Sequence, residues 1–285
     1  MSEEVMQLLN LLELEKVEQN LYRGFHLQGS IGRVFGGQVV GQALSAAYQT
    51  IEQDRLCHSL HAYFMRGGDP SVPIVYSVER LRDGGSFSTR RVTAIQHGQA
   101  IYAMSCSFQI DEPGLTHQMD MAHVPKPDEL LSVQDLMVQF KDTIPQGLAS
   151  YFSKKRPLDL KPVNIQRHLT KQPDKPEQNL WFKAASDLPK DPRIHHCILA
   201  YASDMTLLGT SLIPHGKAVF DPDIMPASLD HALWFHRPFA MDNWLLYAQD
   251  SPSSHFARGF ARGMIYDSAG TLVASAAQEG LIRQV

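Results

Sequence analysis

The feature that most constrains this chain is an order of segments that occurs twice. A glycine-dotted loop from Gly24 to Gly37 leads into Gln38 to Tyr48, where Val40, Ala43, Leu44, Ala47 and Tyr48 recur at helical spacing. The side chains along this helix are small, so another element can wrap it closely. Four strand-length segments follow: Leu60 to Arg66, Ile74 to Leu81, Phe87 to Gln96 and Ala100 to Ile110. Turn signals part them at Gly67 to Pro70, Asp83 to Gly85 and His97 to Gly98. The spacing predicts one helix and then an antiparallel meander.

The second half has a similar order. Strand candidates at Leu158 to His168 and Asn179 to Ser186 precede Asp191 and Pro192, an N-cap followed by proline at the first helical position, and a helix running to about Tyr201. After it come Leu229 to His236, Trp244 to Gln249, Phe256 to Tyr266 and Thr271 to Ile282, again strand-like. Ser228 and Ser59, Phe256 and Phe87, and Gln278 and Gln109 are each separated by 169 residues, as a duplication predicts. Between the halves, Pro113, Gly114, Pro125 and Pro127 break the pattern, and a helix is expected over Val133 to Ile144 with Ser132 as its N-cap. The expected division is a first unit over 1–115, an ordered connector over 116–156 and a second unit over 157–285.

The 285 residues suffice for two units that each bury a core. A charged share of 20% and a net charge of −4, with no dense Lys/Arg tract, argue against a nucleic-acid partner. Cys57, Cys106 and Cys197 are too few and too far apart for a disulfide framework or a paired-Cys metal site. The first fifteen residues pattern as an acidic amphipathic docking helix, unlike a signal peptide. Nowhere do about 18 apolar residues run together, so no membrane insertion is expected. The final residues are not a Ser-Lys-Leu address, and the expected location is cytoplasmic.

Three polar residues stand out. Asp204 is surrounded by apolar or small neighbours such as Tyr201, Ala202, Met205, Leu207 and Leu208, where a carboxylate is costly unless it is used or well bonded; the ordinary alternative is an N-cap for a helix starting at Met205. Gln278 lies on a strand whose alternate residues Leu272, Ala274, Ala276, Gly280 and Ile282 form one apolar face, so it points inward, for catalysis or for a structural bond to backbone. Ser228 follows Pro226 at a strand entry, where a turn hydroxyl is the common case. Together they suit water-directed hydrolysis: a carboxylate takes a proton from water while a hydroxyl and an amide orient it. No Gly-x-Ser-x-Gly elbow occurs. Ser228, Asp230 and His231 cannot form a triad as one strand, because His231 then lies on the opposite face. His58 and His61 are a second candidate base pair, with packing the ordinary alternative. Arg66, Arg90, Arg91, Arg258 and Arg262 could meet phosphates, with solvation or salt bridges as the alternative. No metal-ligand spacing is present.

Several segments, in order along nearly the whole chain, resemble the bacterial acyl-CoA thioesterase II family: Val34 to Ala43, Arg82 to Gly84 with Ser86 to Ser88, Tyr201 to Asp204, Asp230 and His231 with Trp234 to Pro238, and Val273 to Ser275 with Gln278 to Gly280. The resemblance implies an α+β fold of two tandem hotdog domains, each a central helix wrapped by a curved antiparallel sheet. It implies hydrolysis of acyl-CoA to free acid and coenzyme A without a bound cofactor, and assembly into dimers or tetramers. The family's Asp, Thr or Ser, and Gln carry onto Asp204, Ser228 and Gln278. Alternatives within the fold are an enoyl-CoA hydratase or a non-catalytic acyl-CoA-binding module. Subtracting the 169-residue offset from the trio gives Phe35, Ser59 and Gln109, so one active site is expected per chain, centred on the second half.

Overall fold

A computed structural model describes residues 1–26, 32–139, 155–164 and 172–285. The elements in chain order are α1 (Glu3–Leu12), β1 (Glu15–Glu18), β2 (Leu21–Gly24), α2 (Gly36–Tyr48), β3 (Arg55–Phe64), β4 (Ile74–Asp83), β5 (Phe87–Gln96), β6 (Gln99–Ile110) and α3 (Val133–Gln139). The second half then supplies β7 (Leu158–Pro162), β8 (Glu177–Ala184), α4 (Pro192–Ser203), β9 (Ile224–Ser228), β10 (Asp230–Phe235), β11 (Leu245–His255), β12 (Arg258–Asp267) and β13 (Leu272–Gln284).

The duplication is visible in the strand order. One antiparallel sheet runs β1-β2-β4-β5-β6-β3 and then β10-β13-β12-β11-β8-β7, so its second half mirrors the first about the β3–β10 pair. At that junction Leu60 lies opposite Leu233 and Ala62 opposite His231. β9 lies outside this path and pairs with β13.

Helices α2 and α4 pack against each other beneath the sheet. The small residues of α2 make their close approach possible: a Cβ on Gly37 would lie 2.2 Å from the carbonyl oxygen of Tyr201, and one on Gly41 3.0 Å from that of Cys197. Gly37 and Gly41 are one turn apart, as are Cys197 and Tyr201, so two successive turns of each helix meet along one line. Asp191 caps α4 as its sequence indicates, accepting from the Arg193 N–H at 3.0 Å, with Pro192 in the first turn.

The central helix of the second half is interrupted. α4 stops at Ser203, Asp204 is its C-cap, and a short 3-10 stretch, Leu208–His215, continues beneath β11, β12 and β13. The run Pro192–His215 is long and apolar enough to span a bilayer, but 67% of its most apolar window is buried inside the protein, as befits a core helix. The N-terminal helix docks as expected through Val5, Leu8, Leu11 and Leu12.

Described residues between the two halves bond to and pack against the second half. Trp181 Nε1 donates to the Pro125 carbonyl at 2.9 Å, Gln118 Nε2 to that of Gly270 at 2.8 Å, and Met121 and Val124 pack on a small cluster of Trp181, Leu246 and Tyr266. Ser132 Oγ accepts from the Asp135 N–H at the start of α3. Residues 140–144 of the expected helix and 165–168 of the expected strand lie outside the described residues.

Several expectations are corrected. β3 begins at Arg55, five residues before the expected start; β1, β2 and β9 were not anticipated. The expected strand Leu229 to His236 is present as β10, but Ser228 does not lead into it: Ser228 ends β9, a separate strand paired with β13. Phe256 and Ala257 are in a tight turn with positive φ between β11 and β12. The uniform offset of 169 also fails. Inward residues of β6 are Tyr102, Met104, Cys106 and Phe108, and those of β13 include Ala274, Ala276 and Gln278, so inward positions correspond only across an even separation. Gln109 is therefore on the wrong face to match Gln278; it is only partly buried and donates to Glu112. Phe35 precedes α2 whereas Asp204 follows α4, so the structural counterpart of Asp204 is the C-cap of α2, Gln49. The first half thus has an amide in place of the Asp204 carboxylate, and no amide among the inward residues of β6 to match Gln278.

Candidate active site

Three distant parts of the chain converge at the break after α4. Gln278 Nε2 donates to Asp204 Oδ1 at 2.5 Å, and Ser228 Oγ donates to the same oxygen at 3.3 Å. A fourth part arrives from the first half. The Gly37 N–H lies close enough to the Asp204 carboxylate to favour its charged form, and a Cβ on Gly36 would stand 2.6 Å from Oδ2. Helix α2 has no side-chain N-cap of its own, since Phe35 occupies that position, and no acidic residue in its first turn. Asp204 supplies the missing acceptor and negative charge to the positive end of that helix. The N-cap reading of Asp204 is thereby corrected in an informative way: the carboxylate caps no helix beginning at Met205, and instead faces the start of α2.

Asp204 is partly exposed as a residue, yet its carboxyl group is enclosed. Burial pushes its pKa up to about 6, against the opposing pull of the Gln278 and Ser228 hydrogen bonds and of the Gly37 N–H. Such a carboxyl is mostly ionised at neutral pH yet far more basic than an exposed aspartate. Gln278 is fully buried, points inward as its strand period requires, and has an Oε1 with no hydrogen-bond partner. The site can thus hold a small donor between a basic carboxylate and a free amide oxygen.

The break at Leu229 alters the face of Ser228. Because β9 and β10 are separate strands, alternation restarts between them, and Ser228 and His231 both turn inward. The two do not bond to each other: His231 Nε2 lies 2.8 Å from Ser203 Oγ, and Asp230 Oδ1 accepts from the Glu279 N–H. No triad forms, although the reason is not the one strand alternation suggested.

The other candidates have structural partners. His58 packs edge-on against Phe87, and His61 against Trp234. Arg66 donates to the Ala100 carbonyl; buried Arg90 bonds to Asp83 and Thr50, Arg91 pairs with Glu79, Arg258 with Glu279 and Arg262 with Asp250. Among the described residues, no three His, Cys, Asp or Glu side chains gather as a metal site would require. Sequence reasoning missed Gly36 and Gly37; the available signal was two adjacent glycines at a helix start, where backbone groups can be approached most closely.

Residues 27–109 match the acyl-CoA thioesterase N-terminal domain, and residues 148–281 match the acyl-CoA thioesterase family. The chain is 41% identical to acyl-CoA thioesterase 2 of Haemophilus influenzae over 99% of both chains. The chain belongs to the acyl-CoA thioesterase family. It is also 40% identical to human acyl-coenzyme A thioesterase 8, over 96% of this chain and 88% of the human one. The crystal structure of an acyl-CoA thioesterase II from Mycobacterium marinum superposes with a TM-score of 0.80 at 42% identity, covering 97% of this chain and 98% of that one. The fold of this thioesterase is accordingly the α+β double hotdog.

Proposed function

We propose that this acyl-CoA thioesterase hydrolyses its substrate at a single site in which Asp204 is the general base and Gln278 and Ser228 are its partners. The observation that carries the reading is the enclosed Asp204 carboxyl, raised to about 6 and bonded by an amide and a hydroxyl at the start of α2. A water donating one hydrogen to Asp204 and the other to the free Oε1 of Gln278 has a lone pair left to attack the thioester carbonyl. Asp204 takes the proton as the C–O bond forms. The oxyanion is stabilised at the positive end of α2, and collapse breaks the C–S bond and expels the coenzyme A thiolate, which takes up the proton held by Asp204 and so regenerates the base. The products are the free acid and coenzyme A.

Domain limits of 1–115 and 157–285, with the connector at 116–156, go with this reading, as do a cytoplasmic location and association into a dimer or tetramer. Support comes from three buried free thiols, which suit a reducing compartment, and from Tyr63 and Phe87 left exposed on the sheet. Light scattering tests the association.

The decisive experiment incubates purified protein with saturated and unsaturated acyl-CoAs while following free thiol and enoyl absorbance. Thiol release that disappears in Asp204→Asn supports the mechanism. Full thiol release by that variant removes Asp204 as base; loss of enoyl absorbance without thiol indicates hydration, and binding without either change indicates a sensor.

A further inference from the structure

The break that carries Asp204 leaves backbone groups that a continuous helix would have satisfied, and these need other partners. Two of the side chains that meet the break come from one strand. Tyr247 and Gln249 are two apart on β11, hence on the same inward face. Tyr247 Oη donates to the Ser203 carbonyl at 3.0 Å, immediately before Asp204. Gln249 Nε2 donates to Thr206 Oγ1 at 2.6 Å, two residues after it. The Gln249 Oε1 accepts from Thr210 Oγ1 at 2.9 Å and from Gln178 Nε2 at 3.2 Å, so the amide is bonded at both ends. Tyr247 and Gln249 are 1% and 3% exposed. Space for the tyrosine ring is provided by Gly263 on β12, where a Cβ would lie 2.2 Å from the ring. His231 adds a hold on the Ser203 hydroxyl.

We propose that Tyr247 and Gln249 are positioning residues for hydrolysis, clamping the turn from Ser203 to Thr206 on both sides of Asp204 so that its carboxylate meets Gln278, Ser228 and the start of α2. The inference rests on the reading of Asp204 as base. Neither side chain bonds to the Asp204 carboxylate, so their effect is on where that carboxylate stands. A displacement of about 1 Å at such a group can lower turnover about 100-fold.

Tyr48 provides a matched control. It is a buried tyrosine of the first half whose hydroxyl lies 2.8 Å from His196 Nδ1 and accepts from the Cys57 N–H at 2.9 Å, with no bond to the site. The experiment compares Tyr247→Phe, Gln249→Met, Tyr48→Phe and Asp204→Asn by thiol release, with kcat and KM measured from about pH 5 to about pH 9, and by thermal melting. Tyr247→Phe and Gln249→Met are expected to lower kcat about tenfold or more with KM within about twofold. Their acid limb moves to lower pH, because a looser turn admits water and returns Asp204 towards an ordinary carboxylate. Tyr48→Phe is expected to lower the melting temperature and leave kcat and the acid limb in place.

Thr206→Val removes the Gln249 bond from its other side with little change of shape, and the double variant Thr206→Val/Gln249→Met should be no worse than either single one. Additive losses in that pair overturn the clamp. So does an unchanged kcat and acid limb in Tyr247→Phe and Gln249→Met, or a fall in kcat that Tyr48→Phe shows equally for the same loss of melting temperature. A fully active Asp204→Asn instead removes the reading beneath the clamp, whereas an inactive Asp204→Asn beside normal Tyr247→Phe and Gln249→Met sinks the clamp alone.

Discussion

The amide of Gln278 donates to Asp204 Oδ1 from the last strand of the sheet, joining β13 to the end of α4. Because the bond uses the amide nitrogen, the oxygen of the same side chain remains buried without a partner. A glutamine oriented in this way holds the carboxylate and leaves an acceptor beside it. On the proposed mechanism, that acceptor and the carboxylate hold the attacking water between them.

Asp204→Asn should separate stability from activity. Turnover is expected to fall by about 100-fold or more, as for loss of a general base. Stability should move the other way. The folded pKa of about 6 exceeds the ordinary aspartate value of 3.8, so ionisation disfavours the folded state and the penalty grows as pH rises from about 4 to about 6. At neutral pH it amounts to about 3 kcal/mol. The variant should melt higher than wild type at neutral pH and converge with it below about pH 4; thermal melts across that range measure the difference.

The pH profile of kcat/KM should have an acid limb near pH 6 that belongs to Asp204. Activity is lost below it as the base is protonated. Steady-state thiol release in buffers of matched ionic strength checks the limb; a limb near 4 would contradict the burial of the carboxyl.

Gln278 and Ser228 should differ in weight. Gln278→Ala removes a short bond and the free acceptor, and is expected to cost about 100-fold in kcat. Ser228→Ala removes a bond of 3.3 Å, longer than a good hydroxyl hydrogen bond, and should cost only about tenfold. Ser228→Thr keeps the hydroxyl and should stay close to wild type. Steady-state kinetics of the three variants rank these contributions.

The two glycines at the start of α2 should fail in different ways. Gly36→Ala directs its methyl at Asp204 Oδ2 and should abolish most turnover, while the better helix propensity of alanine offsets part of any loss of stability. Gly37→Ala drives its methyl into the Tyr201 carbonyl and should destabilise the helix pair by about 1–3 kcal/mol. Melting and kcat measured on both variants distinguish damage at the site from damage to packing.

Acid should weaken the fold through two buried histidines. Burial lowers the pKa of His231 to about 4 and that of His196 to about 3, so both stay neutral when folded while the unfolded chain binds protons near 6.5. Their stabilising contribution is complete above about pH 6.5 and is lost as pH falls towards the folded values, at up to about 1.4 kcal/mol per pH unit for each. Denaturant unfolding of wild type and of His196→Phe should show a shallower acid dependence in the variant.

Much of the fold was legible because it is written in local periods. The inward direction of Gln278 follows from alternation along β13, the start of α4 from Asp191 and Pro192, and the duplication from the repeated order of helix and strands. Those signals depend on residues within a few positions of one another. The face of Ser228 was not legible, since one residue between the two strands, Leu229, resets the alternation and turns the next side chains over. The uniform offset misled for the same reason: insertions of different length in each half change the parity between β6 and β13.

From the sequence by itself came the element types, their repeated order, the inward amide and a carboxylate set among apolar neighbours. Only the tertiary structure decided what that carboxylate meets. Gly36, Asp204, Ser228 and Gln278 lie far apart along the chain, and they converge because α2 and α4 pack at glycine contact while the second central helix breaks where the carboxylate is needed. Local propensity carries no information about that meeting; it is fixed by the long-range register of the sheet and by how closely the two helix backbones can approach.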